Sequence, residues 1–198
     1  MKKMPSLFIR EWEGDRTITE AITPGAEWVI EGEGVATRKW DGTSCLVQGG
    51  KLYKRYDAKG KRAQNLDAKG FMPAQPEPDP VSGHWPGWVP VDMDPKTSHD
   101  YWHLEGWDAA HITHWGKTYP PDDGTYELIG PKVQGGIEGV PEHRLIRHGE
   151  DHLLDAPRDF AGLRAYLQDR PGMEGIVWHH PDGRMVKLKR RDFGKEGQ

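Results

Sequence analysis

A chain of 198 residues is sized for a single folded domain with a sizeable core. Its hydrophobic fraction of 35% and mean hydropathy of -0.83 leave no stretch near the roughly 20 apolar residues of a membrane span. Wholesale disorder is excluded by 9 Trp, 6 Tyr and 4 Phe, and an all-helical bundle by 25 Gly and 16 Pro. The net charge of -4 and pI near 6.2 argue against a general nucleic-acid coat protein. Two segments, Lys51–Arg62 and Arg184–Arg191, run against that acidic average. Each alone fits a solvated strand face, while two basic strands closing on one cleft would make a polyphosphate and nucleic-acid site.

The leading MKKMPSLFIREWEG has too short an apolar run for a signal peptide, and the single cysteine, Cys45, has no intramolecular disulfide partner. The expected compartment is a reducing cytoplasm, with no membrane association. Trp28–Arg38 alternates apolar and polar positions as a strand does, and it leads to Lys39. Thr43–Gln48, Gly49-Gly50 and Lys51–Tyr56 predict a hairpin, with Arg55 on its return strand. Phe71–Pro95 predicts a proline-rich surface loop, and His99–Trp115 a short strand and a short helix. Gly124–Ile129 predicts a strand stopped by Gly130-Pro131. Asp155 is expected to cap a helix holding Pro157, Phe160, Leu163 and Leu167 and ending at Pro171-Gly172. Met173–His179, a turn at Pro181–Gly183, and Arg184–Lys189 predict a second hairpin.

The chemistry-bearing residues fall on these strands. A lysine amine is a nucleophile only without its proton, so a nucleophilic lysine needs burial, neighbouring positive charge or a metal-bound phosphate. Lys39-Trp40-Asp41-Gly42 supplies a lysine beside a glycine that lets the backbone turn close to a ligand, although alone it also fits an exposed turn. Downstream come Arg55, Glu127 in YELIG, Glu174 in MEGIV, and Lys187 and Lys189 on one face of VKLK. A converging set of Lys, Arg and Glu is better explained by a polyanion with a metal than by core packing. The histidines His99, His103, His111 and His114 lack a cysteine partner for zinc and fit surface or RNA-facing positions. The tryptophans Trp85, Trp88, Trp102 and Trp107 fit core packing or base stacking.

KWDG, YELIG, EGIV and KLK, in this order and at these separations, resemble motifs I, III, IV and V of the covalent nucleotidyltransferases, which comprise polynucleotide ligases and capping guanylyltransferases. RKWDGTSCLVQGGKLYKRYDAKGK, WHLEGWD and TYELIGPKVQGG further resemble the single-domain ATP-dependent RNA ligase family that includes the human 5′-3′ RNA ligase. The likeness runs from about residue 29 to about residue 192. It implies an α+β fold of antiparallel sheets with packed helices, an ATP-grasp-like adenylyltransferase core with the nucleotide cleft between sheets, in one domain over residues 1–198.

By the same resemblance, Lys39 attacks the α-phosphate of ATP and carries AMP, Asp41 sits by the ribose or a metal-bound water, and Gly42 admits the nucleotide. Arg55 contacts ribose or phosphate, Glu127 the ribose, Glu174 a Mg²⁺ or Mn²⁺ through water, and Lys187 and Lys189 the α-phosphate. Thr37, Arg38 and Trp40 flank the nucleophile where the base is contacted, and Lys54 and Lys132 are candidate RNA contacts. The metal-side residues are thus Asp41 and Glu174. Two departures bear on the assignment. Ser44 stands in the region where many DNA ligases and capping enzymes carry an arginine, which gives that role to Arg55. No room follows Lys189 for the oligonucleotide-binding (OB) domain those enzymes append. The expected activity is ligation of RNA 5′-phosphate and 3′-hydroxyl ends in RNA repair, with no obligate protein partner. The alternatives are a minimal DNA ligase, a GTP-dependent capping enzyme, or a non-catalytic nucleotide- or RNA-binding module.

Overall fold

The computed structural model describes residues Met4–Gly194. In chain order its strands and α-helices are β1 (Phe8–Arg10), β2 (Ile18–Ile22), α1 (Glu27–Ile30), β3 (Val35–Lys39), β4 (Thr43–Gln48), β5 (Lys51–Ala58), β6 (Met72–Pro73), β7 (Trp85–Pro90), α2 (Tyr101–Ala110), β8 (Ile112–His114), β9 (Lys117–Tyr119), β10 (Gly124–Ile129), β11 (Arg144–Arg147), α3 (Phe160–Gln168), β12 (Gly175–His179) and β13 (Met185–Lys189). The class is α+β, and the pairings between these strands are antiparallel. The chain forms two compact units that exchange at Asp41–Gly42 and at His148–Gly149.

The first unit, from Gly42 to His148, is built on a six-stranded sheet in the order β11-β10-β4-β5-β7-β6. Its β4–β5 hairpin turns at Gly49 and Gly50, whose φ values of 59° and 69° are those the tight turn demands. Cys45, Val47, Leu52, Tyr126, Leu128 and Trp107 of α2 form its core. Burial there pushes the Cys45 thiol pKa up, so this cysteine is inert packing. The segment expected as a proline-rich loop instead contributes β7, paired along Tyr53–Ala58 with Arg55 opposite Trp88. Trp88 thereby gains the burial that a loop would deny it, at 4% exposure. His99–Trp115 resolves into α2 and the start of the β8–β9 hairpin.

The second unit joins Met4–Asp41 to the segment after Gly149. Its three-stranded sheet runs β13-β12-β3, so the segment before Gly42 supplies one edge strand and the C-terminal hairpin the rest. Ala36, Ile176, Trp178, Val186 and Leu188 project from one face of this sheet into a core with Leu163, Tyr166 and Leu167 of α3. The strand expected from Trp28 begins only at Val35. Glu27–Ile30 is a helical turn, and Gly32 (φ 95°) and Gly34 (φ 68°) reverse the backbone between the two elements. A Cβ on Gly34 would lie 2.4 Å from the Trp28 ring, so glycine is what lets that indole seat against the strand entry. The helix cap is also corrected. Asp159 caps α3, its Oδ1 accepting from Gly162 N at 2.8 Å, whereas Asp155 accepts from the Tyr166 hydroxyl and from Arg170.

Candidate active site

In the second unit the register of the three-stranded sheet assembles a charged face. Lys39 and Lys189 both lie opposite Gly175, and Thr37 and Lys187 both lie opposite Val177. Side chains alternate across a strand, so these four residues share the face opposite the core. Gly175 must lack a side chain for the strands to approach, because a Cβ there would fall 2.0 Å from Leu188 O. Glu174, just before β12, bridges the two flanking lysines: Oε2 accepts from Lys39 Nζ, and Oε1 accepts from Lys189 Nζ at 2.5 Å.

The Lys187 ammonium makes no hydrogen bond or ion pair among the described residues, although it is half-buried. Burial first, then the charges of Lys189 and Lys39, hold its ammonium pKa below the ordinary lysine range. Asp41 is shifted the other way, raised by burial and then by the like charge of Glu174. Three lysines around two carboxylates give this face a surplus positive charge.

Alternation divides the residues flanking the nucleophile. Thr37 shares the Lys39 face, and its hydroxyl is bonded to Val177 O at 3.2 Å and to His179 Nε2 at 3.0 Å. Arg38 projects to the other side, donates to Gly172 O, and lies 3.7 Å from the Trp40 ring centroid.

The first unit carries a second polar set. Glu127 is 8% exposed and accepts from Gly42 N at 3.2 Å and from Ser44 Oγ at 3.0 Å, and it is hydrogen-bonded to His148 Nε2 at 2.9 Å. A Cβ on Gly42 would lie 2.2 Å from Leu128 O, so the glycine permits the turn that delivers its N–H to Glu127. Ser44 and Arg55 project from the same face of the sheet as Glu127, with Arg55 held by Asp57 at 3.0 Å and lying 5.7 Å from the Trp88 ring centroid. Lys54 falls on the opposite, core-side face beside Cys45 and grips both oxygens of Asp100 at 2.5 and 2.6 Å. The structure therefore ties this expected RNA contact into an ion pair of the fold. Lys132 is exposed on the rim of a separate cavity of about 490 Å³ with Trp102, Glu105 and His143.

Sequence reasoning missed His148 and the donor role of Ser44. Both meet Glu127 only through pairing of β10 with β11 and β4, residues far apart in the chain. Among the described residues no group of three or more His, Cys, Asp or Glu side chains could hold a metal ion. The pair Asp41 and Glu174 does offer hard oxygen donors whose mutual repulsion a divalent cation would relieve. This suits a cation that keeps several waters and takes its remaining ligands from phosphate.

Residues 121–197 match the family model for RNA ligase 1. RNA ligase 1 of Danio rerio is 28% identical across 98% of this chain and 81% of its own length. The chain is similar in sequence to RNA ligase 1 proteins. The Mus musculus RNA ligase 1 is likewise 28% identical, over 98% of this chain and 80% of its own length, and that of Rattus norvegicus 28% over 98% and 81%. The segment matching the family model includes Glu127, Glu174, Lys187 and Lys189. No helix among the described residues is long and apolar enough to cross a membrane.

Proposed function

We propose that this chain is an ATP-dependent RNA ligase that carries AMP on Lys39 and uses it to join RNA 5′-phosphate and 3′-hydroxyl ends, in the repair of broken RNA. The observation that carries the reading is the charged sheet face: a lysine at a strand end, a carboxylate joining it to a second lysine, and a third lysine beside them without a carboxylate of its own. Such a surplus of half-buried positive charge costs folding free energy unless an anion occupies it. A triphosphate is an anion of the right charge, and the similarity to RNA ligase 1 proteins agrees with it.

In this mechanism the Lys39 ammonium passes a proton to water, separates from Glu174 and bonds to the α-phosphorus, and the nitrogen loses a second proton to water as the phosphoramidate forms. The bond from that phosphorus to the bridging oxygen breaks, and pyrophosphate leaves with the electron pair. Lys187 and Lys189 neutralise the oxygens of the transferring group, which is the main help such displacements require. Asp41 and Glu174 would hold Mg²⁺ or Mn²⁺ through water, a cation that supplies further charge neutralisation. Glu127, already oriented by Gly42, Ser44 and His148, contacts the ribose, and Arg55 contacts ribose or phosphate. AMP then passes to an RNA 5′-phosphate, and the RNA 3′-hydroxyl displaces it to close the phosphodiester.

The test is incubation with α-labelled ATP and metal, followed by denaturing electrophoresis. Label is expected on the wild-type chain and absent from Lys39→Ala, and it should leave the protein when 5′-phosphorylated RNA is added. A wild-type chain that binds ATP tightly yet keeps no label after denaturation would reduce the proposal to a nucleotide-binding module.

A further inference from the structure

The basic segment Lys51–Lys69 is not absorbed by the reading above. Between Lys51 and Gly70 stand seven Lys or Arg and two Asp, in a chain of net charge -4. Lys54 and Arg55 are taken by Asp100 and Asp57, but Lys59, Lys61 and Arg62 are exposed and make no ion pair among the described residues. Beside them lies a cavity of about 680 Å³, walled by Leu66, Phe71 and Trp85 and rimmed by Asn65 and Asp67. That volume is ordinary for a small-molecule site.

The walls are built rather than incidental. Tyr56, Phe71 and Trp85 form a run of rings with centroids 6.0 and 5.5 Å apart. Phe71 can lie on the sheet only because position 87 is glycine, where a Cβ would come within 2.2 Å of its ring. Trp85 is fixed by its Nε1 donating to Gln75 O at 2.9 Å. Tyr56 donates to Arg62 O at 2.9 Å, and the Arg62 guanidinium lies 4.5 Å from its ring, which ties the basic turn to the aromatic wall. Asn65 sits at φ 53°, and its side-chain amide makes no hydrogen bond among the described residues.

We propose that this cavity binds one unpaired nucleotide of an RNA strand, its base against Phe71 and Trp85, its edge read by Asn65 and Asp67, and its flanking phosphates held by Lys59, Lys61 and Arg62. Aromatic walls beside exposed cations are the combination that recognises unpaired nucleotides. A site for a free anion would not need the rings, and a purely apolar partner would not need the cations. Alternation along β5 puts Tyr56 on the face that carries Lys54, opposite the Arg55 and Glu127 face, so this is a second contact for RNA and not the ribose site again. The inference rests on the RNA-ligase reading.

The experiment measures binding of a 5′-phosphorylated single-stranded RNA to the full chain by fluorescence anisotropy across a salt series, with ATP-dependent labelling of Lys39 followed separately without RNA. The double variant Lys61→Glu/Arg62→Glu should lose about tenfold or more in RNA affinity and lower the salt slope by about two. Asn65→Gly removes the amide while keeping a left-handed backbone that glycine adopts freely, and it should lose about threefold. Both variants should keep labelling within about twofold of wild type. An Asn65→Gly variant that binds RNA as wild type does overturns the cavity, whatever the charge reversal does, because general attraction alone would explain the latter. Labelling with no RNA effect in either variant would leave the ligase reading standing and overturn the cavity as an RNA contact. RNA loss in both variants with no labelling of wild type would keep the cavity and sink the ligase.

Discussion

Lys187 shows how one residue separates stability from function. It shares a sheet face with Lys39 and Lys189, both of which already pair with the Glu174 carboxylate. Removing it leaves no carboxylate without a cation. Lys187→Met should therefore stabilise the ligand-free protein by about 0.5–2 kcal/mol, read as a rise in thermal midpoint, while slowing adenylylation of Lys39 by about a hundredfold or more. The pH dependence has a definite sign. The folded pKa lies below the ordinary value of 10.5, because burial and then the neighbouring lysines disfavour the charge. Between the folded and unfolded values the unfolded chain binds more protons, so stability contributed by this group rises as pH rises toward 10.5. The variant should lack that contribution. At this scale the charged residues of the sheet face were legible because period-two alternation aligns Lys187 with Lys189 from sequence alone. The pairing of Glu174 with two lysines was not, since it depends on β3, β12 and β13 coming together across the chain. Lys54 was expected as an RNA contact, and only the register shows it turning toward Asp100.

Gly175 carries the corresponding lesson for a secondary-structure element. It stands opposite Lys39 on one side and Lys189 on the other, in the central strand of its sheet. A methyl group there meets Leu188 O at 2.0 Å and Lys189 Cα at 2.9 Å, backbone atoms that cannot swing aside. Gly175→Ala should destabilise the protein by about 1–3 kcal/mol and shift both lysines, lowering adenylylation even where the fold survives; urea denaturation and the labelling assay check the two effects separately. The hairpins around this site and around Gly49 were legible because Gly-Gly and Pro-Asp-Gly have few alternatives to a turn. The cap of α3 was not, because Asp155 and Asp159 are the same residue type one helical turn apart, and only Asp159 finds the free N–H of Gly162. Strand β7 was hidden for a different reason. Proline density argues for a loop, yet Tyr53–Ala58 offers a partner edge that local composition does not reveal.

Across the whole molecule, the two units differ in how they draw on the chain. The first is continuous from Gly42 to His148, with its own six-stranded sheet and its own core around Cys45, Trp107 and Leu128. The second needs both termini: β3 comes from before the first unit, β12 and β13 from after it, and the core joins Leu7 and Trp28 to Leu163 and Leu188. A continuous segment that buries its own core meets the requirement for independent folding. A fragment of residues 42–148 should therefore fold alone, giving a cooperative thermal transition and dispersed amide resonances. Fragments 4–41 and 149–194 should each remain unfolded when separate, since neither can close the β13-β12-β3 sheet. The same division predicts the chemistry of the fragments. Residues 42–148 keep Glu127 and its three partners but lack Lys39, so the folded fragment should take no label from α-labelled ATP. Label on that fragment would mean that a lysine other than Lys39 is the nucleophile, and a fragment without a cooperative transition would show that the first unit depends on the second for its stability.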